Sequence, residues 1–129
     1  MPIVRVELRE GKSPEYIQTI LEGVHGALVD SFKIPDHDRV QLAYELPARH
    51  FEVGDKSENL VVVTIMAFAG RSMDAKRKLY KGIVDRLEKK PGISGNDVII
   101  VLLEQPMDCW GIRGGKPASE IDLGFDVNV

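Results

Sequence analysis

The sequence contains a single cysteine, Cys109. One cysteine excludes an internal disulfide and a zinc knuckle built from cysteines, and it suits a reducing cytosol. The N-terminus has no basic flank followed by an apolar run, so it does not resemble a signal peptide. No apolar run reaches the roughly 18 residues that a membrane-spanning helix needs. We therefore expect a cytoplasmic protein with no membrane partner.

Positive charge is also scarce, because 17 Lys and Arg face 20 Asp and Glu, for a net charge of -3. An acidic balance repels phosphate and argues against a nucleic-acid partner. The three histidines are not spaced like metal ligands, so no metal is predicted. A length of 129 residues with 43% hydrophobic and 29% charged residues is typical of one globular domain, which we assign to residues 1–129.

The order of predicted elements repeats along the chain. Alternating apolar and charged residues from Ile3 to Leu8 predict a strand, Ser13 and Pro14 predict a helix start, and a second strand follows from Val40 to Leu46. The same order returns as a strand at 60–67, a helix from 72 and a strand at 98–103. The basic run 76–78 is predicted to lie on the solvated face of that second helix.

Identical residues recur in pairs along the chain, each pair separated by the same number of residues as Gly11 and Gly70. Other pairs at this spacing are Ser13 with Ser72, Gly23 with Gly82, Asp38 with Asp97, Glu45 with Glu104, and Pro47 with Pro106. The chain is therefore interpreted as an internal duplication of residues 1–59 and 60–118, with a tail at 119–129.

This duplication predicts an α/β fold of tandem β-α-β units. Right-handed crossovers make the strands of each unit parallel, so two copies give a four-stranded sheet with two helices on one face. The chain has no further element to cover the other sheet face, and we therefore expect an oligomer. The segment after Glu104, which is rich in turn residues, is predicted to add a strand or hairpin at a subunit boundary.

Pro2 differs from its repeat partner, Val61. If Met1 is removed, Pro2 carries a secondary amine, and burial or a nearby cation would keep part of it neutral at pH 7. The alternative is that Pro2 is only a tolerated first residue of an edge strand.

Three sequence features carry a family resemblance. Pro2 heads the first strand, paired turns read Gly11-Lys12-Ser13 and Gly70-Arg71-Ser72, and a later segment reads Trp110-Gly111-Ile112-Arg113-Gly114-Gly115. Together they resemble the tautomerase superfamily, which uses an amino-terminal proline. The run His25-Gly26-Ala27, Val29-Asp30, Phe32, Pro35, Asp38-Arg39 and Gln41 resembles the malonate semialdehyde decarboxylase branch. Members of that branch are two fused 4-oxalocrotonate tautomerase-like units that form trimers.

The resemblance implies roles for individual residues. Pro2 would be the general acid or base, Arg71 would bind the substrate carboxylate, and Asp38 would activate water or control the proton on the proline. Trp110 would wall the pocket, and Phe51 would do so across a subunit boundary. Each has a structural alternative: Asp38 as a turn residue, Trp110 as plain core and Arg71 as a solvated side chain.

The implied activity is that of a cofactor-independent keto-enol tautomerase acting on small 2-keto or enol carboxylates, assembled as a homotrimer. The decarboxylase branch carries two arginines before the second helix, whereas here only Arg71 is present, which puts decarboxylation in doubt. Arg39 or Arg113 could supply the missing cation and bind substrate. The alternatives are malonate semialdehyde decarboxylase or hydratase activity, or a non-catalytic module that binds a small ligand.

Overall fold

A computed structural model describes residues 2–129, so Met1, whose removal would free the Pro2 amine, lies outside the described part. The main elements are β1 (Pro2–Arg9), α1 (Pro14–Phe32), β2 (Val40–Leu46), β3 (Val61–Phe68), α2 (Met73–Lys89) and β4 (Val98–Gln105). A short hairpin follows, made of β5 (Gly111–Ile112) and β6 (Lys116–Pro117). Single 3-10 turns cover Ala48–His50, Gly95–Asp97, Met107–Cys109 and Ala118–Glu120.

The four long strands form one sheet in the order β2-β1-β3-β4. Strands β1 and β2 are parallel, as are β3 and β4, while β1 and β3 run antiparallel where the two repeats meet. The predicted α/β fold of tandem β-α-β units is confirmed. The antiparallel junction places Pro2 opposite Ala67, so the chain start lies beside the end of β3.

Both helices begin where the sequence predicts, because serine side chains cap them. Ser13 accepts a hydrogen bond from the Tyr16 amide, and Ser72 accepts one from the Ala75 amide, each over 3.1 Å. The helices pack against each other and cover one sheet face, where their apolar stripes bury the core. The largest fully buried core side chains include Ile20, Leu28, Phe32, Ile65, Leu79, Ile83 and Leu87. Among residues 2–129, neither helix is long and apolar enough to cross a bilayer.

The opposite sheet face is uncovered in the single chain; its outer strands are apolar, while Arg5 and Glu7 of β1 pair with Leu42 and Tyr44 on the same face. Its outer strands expose Val40, Leu42, Tyr44, Ile99, Val101 and Leu103, each between 39% and 44% accessible. We call these six residues the open face. These exposed apolar side chains on the two outer strands are the surface that the predicted oligomer would bury.

The tail folds back onto its own chain. The predicted hairpin is present as β5 and β6, but the segment after Ile121 forms no strand. Val127 packs with Phe68 and Ala118, and the Ser72 amide donates to the Val129 carbonyl over 2.9 Å. The tail therefore holds the turn between β3 and α2.

Candidate active site

The strand directions bring four of the predicted site residues to one edge of the sheet. Strands β1 and β2 begin at the edge where β3 and β4 end. Pro2 starts β1, Asp38 precedes β2, Arg71 follows β3 and Trp110 follows β4. We call this the Pro2 edge.

Arg71 is a buried cation with unused hydrogen-bonding capacity. Its side chain lies over the ring of Phe32, with 4.7 Å from the guanidinium carbon to the ring centroid, and the residue is only 6% exposed. Nη1 donates to the Phe68 carbonyl over 2.9 Å. Nε and Nη2 are buried and have no hydrogen-bond partner among residues 2–129. Burial lowers the pKa of Arg71, while the charges of Glu104, Asp38 and Asp126 act in the opposite direction.

Trp110 lies in the same part of the molecule. Its ring meets Phe68 edge-on, with 5.0 Å between centroids and 73° between planes. The indole Nε1 is buried and also lacks a hydrogen-bond partner within the described residues. Guanidinium and indole nitrogens are donors only, and a buried donor without an acceptor is costly. The Pro2 edge is therefore suited to an anionic or oxygen-rich ligand.

Pro2 is buried at the start of β1. Its sheet neighbour Ala67 pairs in turn with Glu104 of β4, so the three residues share one row across the sheet. Glu104 forms an ion pair with Lys76 of α2. The prediction that the whole run 76–78 is solvated is wrong for Lys76, because its side chain is only 22% exposed and faces the sheet carboxylate.

Asp38 is held by the loop that leaves α1. Lys33 ends the helix in the left-handed region at φ 57°, and the Asp38 amide donates to the Pro35 carbonyl over 3.0 Å. The buried ring of His25 fixes the middle of this loop, with its Nε2 lying 2.9 Å from the Asp36 carbonyl oxygen. The loop thus holds Asp38 where its charge opposes, in part, the lowering of the Arg71 pKa by burial.

A cleft of about 300 Å³ opens beside this loop. It lies between the loop and the C-terminal segment and is lined by Pro35, His37, Asp38, Arg39, Val40, Ile112, Arg113, Leu123 and Phe125. Arg39 reaches back to α1, where its Nη2 lies 3.0 Å from the Glu22 carboxylate. The structure therefore brings Arg39 and Arg113 to one cleft next to Asp38.

The opposite sheet edge provides an internal comparison, because it carries the repeat partners of the same residues. There Lys12 donates to the Asn59 side chain over 2.6 Å. The Asp97 carboxylate accepts from the amide and hydroxyl of Ser57, over 2.9 and 2.6 Å, and these hydrogen bonds lower its pKa. Lys12 and Asp97 are thus partnered within the chain, whereas Nε and Nη2 of Arg71 and Nε1 of Trp110 have no partner among residues 2–129.

Phe51 also lies at this second edge, where its carbonyl accepts from the Arg9 guanidinium over 3.0 and 2.7 Å. Within one chain, the structure does not bring Phe51 to Pro2, Arg71 or Trp110. Phe32, Phe68, Lys76 and Glu104 are neighbours that the sequence reasoning did not assign to the site. The repeated pair Glu45 and Glu104 was the available signal for Glu104.

Comparison with models of known protein families shows which family the chain belongs to. A family model described as tautomerase enzyme matches residues 38–113, and a second model with the same description matches residues 2–59. The chain belongs to the tautomerase family.

Curated proteins and solved structures agree with this membership. The chain is 30% identical to the probable tautomerase YrdN of Bacillus subtilis (strain 168), over 90% of this chain and 94% of that protein. It is similar to malonate semialdehyde decarboxylase, a protein with decarboxylase and hydratase activities, with a TM-score of 0.82, 29% identity, and coverage of 89% and 93%. It is also similar to the R7 fused 4-OT asymmetric trimer, with a TM-score of 0.81, 25% identity, and coverage of 91% and 96%.

Proposed function

We propose that this tautomerase interconverts the keto and enol forms of small 2-keto carboxylates without a cofactor, with Pro2 as general acid and base. The observation that carries the proposal is the pair of buried nitrogens on Arg71, at the Pro2 edge, that find no partner in the described part of the chain. A guanidinium fork of this kind matches a carboxylate, which accepts two parallel hydrogen bonds.

The proposed reaction moves one proton from oxygen to carbon. With Met1 removed, the neutral amine of Pro2 takes the proton of the enol hydroxyl, and negative charge spreads over the oxygen and the far carbon of the enol double bond. The resulting ammonium then delivers a proton to that carbon, which leaves the keto acid and restores the amine. Arg71 binds the carboxylate and stabilises the enolate oxygen.

Neighbouring charges set the protonation of Pro2. The Asp38 carboxylate favours the cationic amine and the Arg71 guanidinium favours the neutral amine, so their balance selects acid or base. The ring of Trp110 walls the site and excludes water, which strengthens these charge interactions.

We further propose that the protein is a homotrimer. The open face supplies the apolar surface, and the structural similarity to a fused 4-OT trimer supports the same assembly. We propose that Phe51 acts across a subunit boundary in this trimer, at the Pro2 edge of a neighbouring subunit.

The second candidate function is decarboxylation or hydration of a small oxo acid. The structural similarity to malonate semialdehyde decarboxylase favours it. This reaction requires a cationic Pro2, with Asp38 activating water or orienting substrate. A pH-rate profile separates the two, because a base mechanism loses activity as Pro2 is protonated and an acid mechanism loses it as Pro2 is deprotonated.

The test begins with the intact mass of the purified chain, which reports whether Met1 is gone. Enol-to-keto conversion is then followed for a panel of enol acids with the wild type, Pro2→Ala and Arg71→Ala. Arg77→Ala is the matched control, because it removes an exposed arginine of α2 that pairs with Asp74. We expect about a 100-fold loss or more in kcat/KM for the first two variants and none for the control. Turnover at the buffer rate by the wild type with every acid would refute catalysis.

A further inference from the structure

The ion pair between Lys76 and Glu104 joins α2 to the end of β4 beside the Pro2 edge. Lys76 Nζ lies 2.5 Å from Glu104 Oε1, and the two side chains are only 22% and 27% exposed. Fully exposed ion pairs contribute little, whereas a largely buried pair at this distance is a charge-assisted hydrogen bond that orders both side chains. Neither residue acts in the proton transfer proposed above. The pair therefore fixes where the Glu104 carboxylate lies.

Arg71 is a second cation that feels the charge of Glu104. Nη1 of Arg71 donates to the Phe68 carbonyl at the end of β3, and Glu104 lies in the neighbouring strand β4. Of the carboxylates that counteract the lowering of the Arg71 pKa by burial, Glu104 has the largest effect. Even so, Nε and Nη2 of Arg71 bond to no acceptor among residues 2–129. The carboxylate with the strongest effect on Arg71 is bonded to Lys76 instead.

A protein carboxylate and a substrate carboxylate use the same donors of a guanidinium. A carboxylate of the same chain has the advantage, because its effective concentration is high. The side chain of Glu104 extends from the strand next to β3, and Arg71 follows the end of β3. Glu104 is therefore placed to compete for Arg71 unless another cation holds it.

The second sheet edge shows the same strand position without the lysine. At the repeat spacing, Glu45 occupies the position of the β4 carboxylate, and Ile17 takes the place of Lys76. Glu45 is exposed to solvent, and the turn cation Lys12 is already hydrogen-bonded within the chain. Of the two edges, the lysine is present at the one where Arg71 has buried donors without partners among residues 2–129.

We propose that Lys76 is a positioning residue that holds the Glu104 carboxylate away from Arg71 and so keeps the Arg71 donors open for a substrate carboxylate. This inference rests on the proposed function, because it takes Arg71 to bind the carboxylate of the 2-keto acid. It adds that this binding depends on a cation that does not itself bind the substrate. Loss of Lys76 turns Glu104 into an internal competitor, and loss of Glu104 removes that competitor.

The test measures binding of benzoylformate, a 2-keto carboxylate that has no hydrogen on either carbon next to its keto group and cannot enolise. Quenching of Trp110, the one tryptophan of the chain, reports its Kd. We expect Lys76→Met to raise the Kd at least about tenfold, and Lys76→Met combined with Glu104→Gln to restore the wild-type Kd. Lys76→Arg should keep the wild-type Kd, because arginine can hold the same carboxylate. Lys78→Met is the matched control, since it removes a lysine from the exposed face of α2 and should leave the Kd unchanged.

A second double variant separates the position of a charge from the net charge. Lys76→Met with Asp126→Asn has the same net charge as Lys76→Met with Glu104→Gln, and Asp126 also acts on the charge of Arg71. It should bind benzoylformate as weakly as Lys76→Met alone. Equal rescue by both double variants would overturn the inference, because net charge alone would then explain the loss. A loss in Lys76→Met that Glu104→Gln does not reverse would also overturn it, since a purely structural role gives that result.

Turnover separates this inference from the proposed function. With phenylpyruvate, Lys76→Met should raise KM and keep kcat, because saturating substrate displaces Glu104 from Arg71. If the wild type turns over no acid, the expected pattern of Kd values still supports the inference, and only the proposed function fails. If the wild type turns over phenylpyruvate and Lys76→Met keeps the wild-type Kd and KM, the proposed function stands and the inference fails.

Discussion

Replacing Arg71 with methionine should remove activity while leaving the stability of the fold nearly unchanged. Most buried side chains of this size are needed for the core, and truncating one costs about 2–5 kcal/mol. Arg71 differs because two of its three guanidinium nitrogens are buried without partners among residues 2–129. A residue that binds a ligand shows this imbalance, because its acceptors arrive with the substrate.

The magnitude follows from the contacts of Arg71. The substitution loses a charged hydrogen bond to the Phe68 carbonyl, about 1.5–3 kcal/mol, and the stacking on Phe32, about 1–2 kcal/mol. It also removes two buried, unpartnered donors, each costing about 1–3 kcal/mol. Methionine fills similar apolar space. Gains and losses are of similar size, so the free energy of unfolding should change by less than about 2 kcal/mol.

The assay pairs urea denaturation with enol ketonisation on the same preparations. All variants are compared at one protein concentration, because the stability of an oligomer depends on it. Leu79→Ala is the stability control, since its side chain is fully buried and its truncation should cost about 2–5 kcal/mol. Arg77→Met is the activity control on the exposed face of α2.

For Arg71→Met we expect kcat/KM to fall about 100- to 1000-fold, the loss typical of removing a donor to a developing oxyanion. The opposite pattern would refute the reasoning. If Arg71→Met destabilises the protein as much as Leu79→Ala and keeps wild-type kcat/KM, then Arg71 is a structural residue and its nitrogens are not reserved for substrate.

Three further predictions concern stability, turns and assembly. Ser57→Ala should lower the urea midpoint at pH 7, because the Ser57 hydrogen bonds lower the pKa of Asp97 and so stabilise the fold above about pH 4. This stabilisation is lost as the pH falls through the pKa of Asp97 in the folded protein. A difference in urea midpoint between wild type and variant that stays constant from pH 7 to 3 would contradict this. Gly70→Ala should lower the free energy of unfolding by about 1–3 kcal/mol, and by more than Gly11→Ala does. Both glycines have positive φ, but only a Cβ at Gly70 meets other atoms, at 2.9 Å from Asn128 Oδ1 and 3.3 Å from the Val127 carbonyl oxygen. Equal losses of unfolding free energy in urea would count against the tail contact. Leu103→Lys places a charge in the open face and should convert the proposed trimer to smaller species in light scattering, whereas Lys81→Glu on the exposed side of α2 should not. A trimeric Leu103→Lys protein would mean that this face is not the interface.

Much of the fold was predictable because its signals are local. Neighbouring residues alone determine three of these signals: the period of two in β1, the serine caps of both helices and the repeated glycine turns. The strand predicted from Ile3 to Leu8 spans Pro2–Arg9 in the structure. The second helix, predicted to start at residue 72, begins at Met73. Boundaries shifted by a residue or two because strand ends depend on the pairing of neighbouring strands.

The neighbours of the site were less predictable because they are separated in sequence. Phe32 ends α1, yet it lies beneath the Arg71 guanidinium. The sequence pattern predicts that Lys76 lies in solvent with Arg77, but in the structure Lys76 forms an ion pair with the sheet residue Glu104. These contacts arise from the crossing of helices over the sheet, and no local pattern encodes them.

By itself, the sequence determined that the chain is duplicated and that proline stands at only one of the two equivalent strand starts. The residue types at the two ends are alike: a cation in the turn, an aspartate before a strand and an aromatic after one. Only the tertiary structure decided that Lys12 and Asp97 are partnered within the chain, while Nε and Nη2 of Arg71 and Nε1 of Trp110 are buried without partners among residues 2–129. The physical reason is that hydrogen-bonding capacity left over after folding depends on which groups burial brings together, and that is a property of packing.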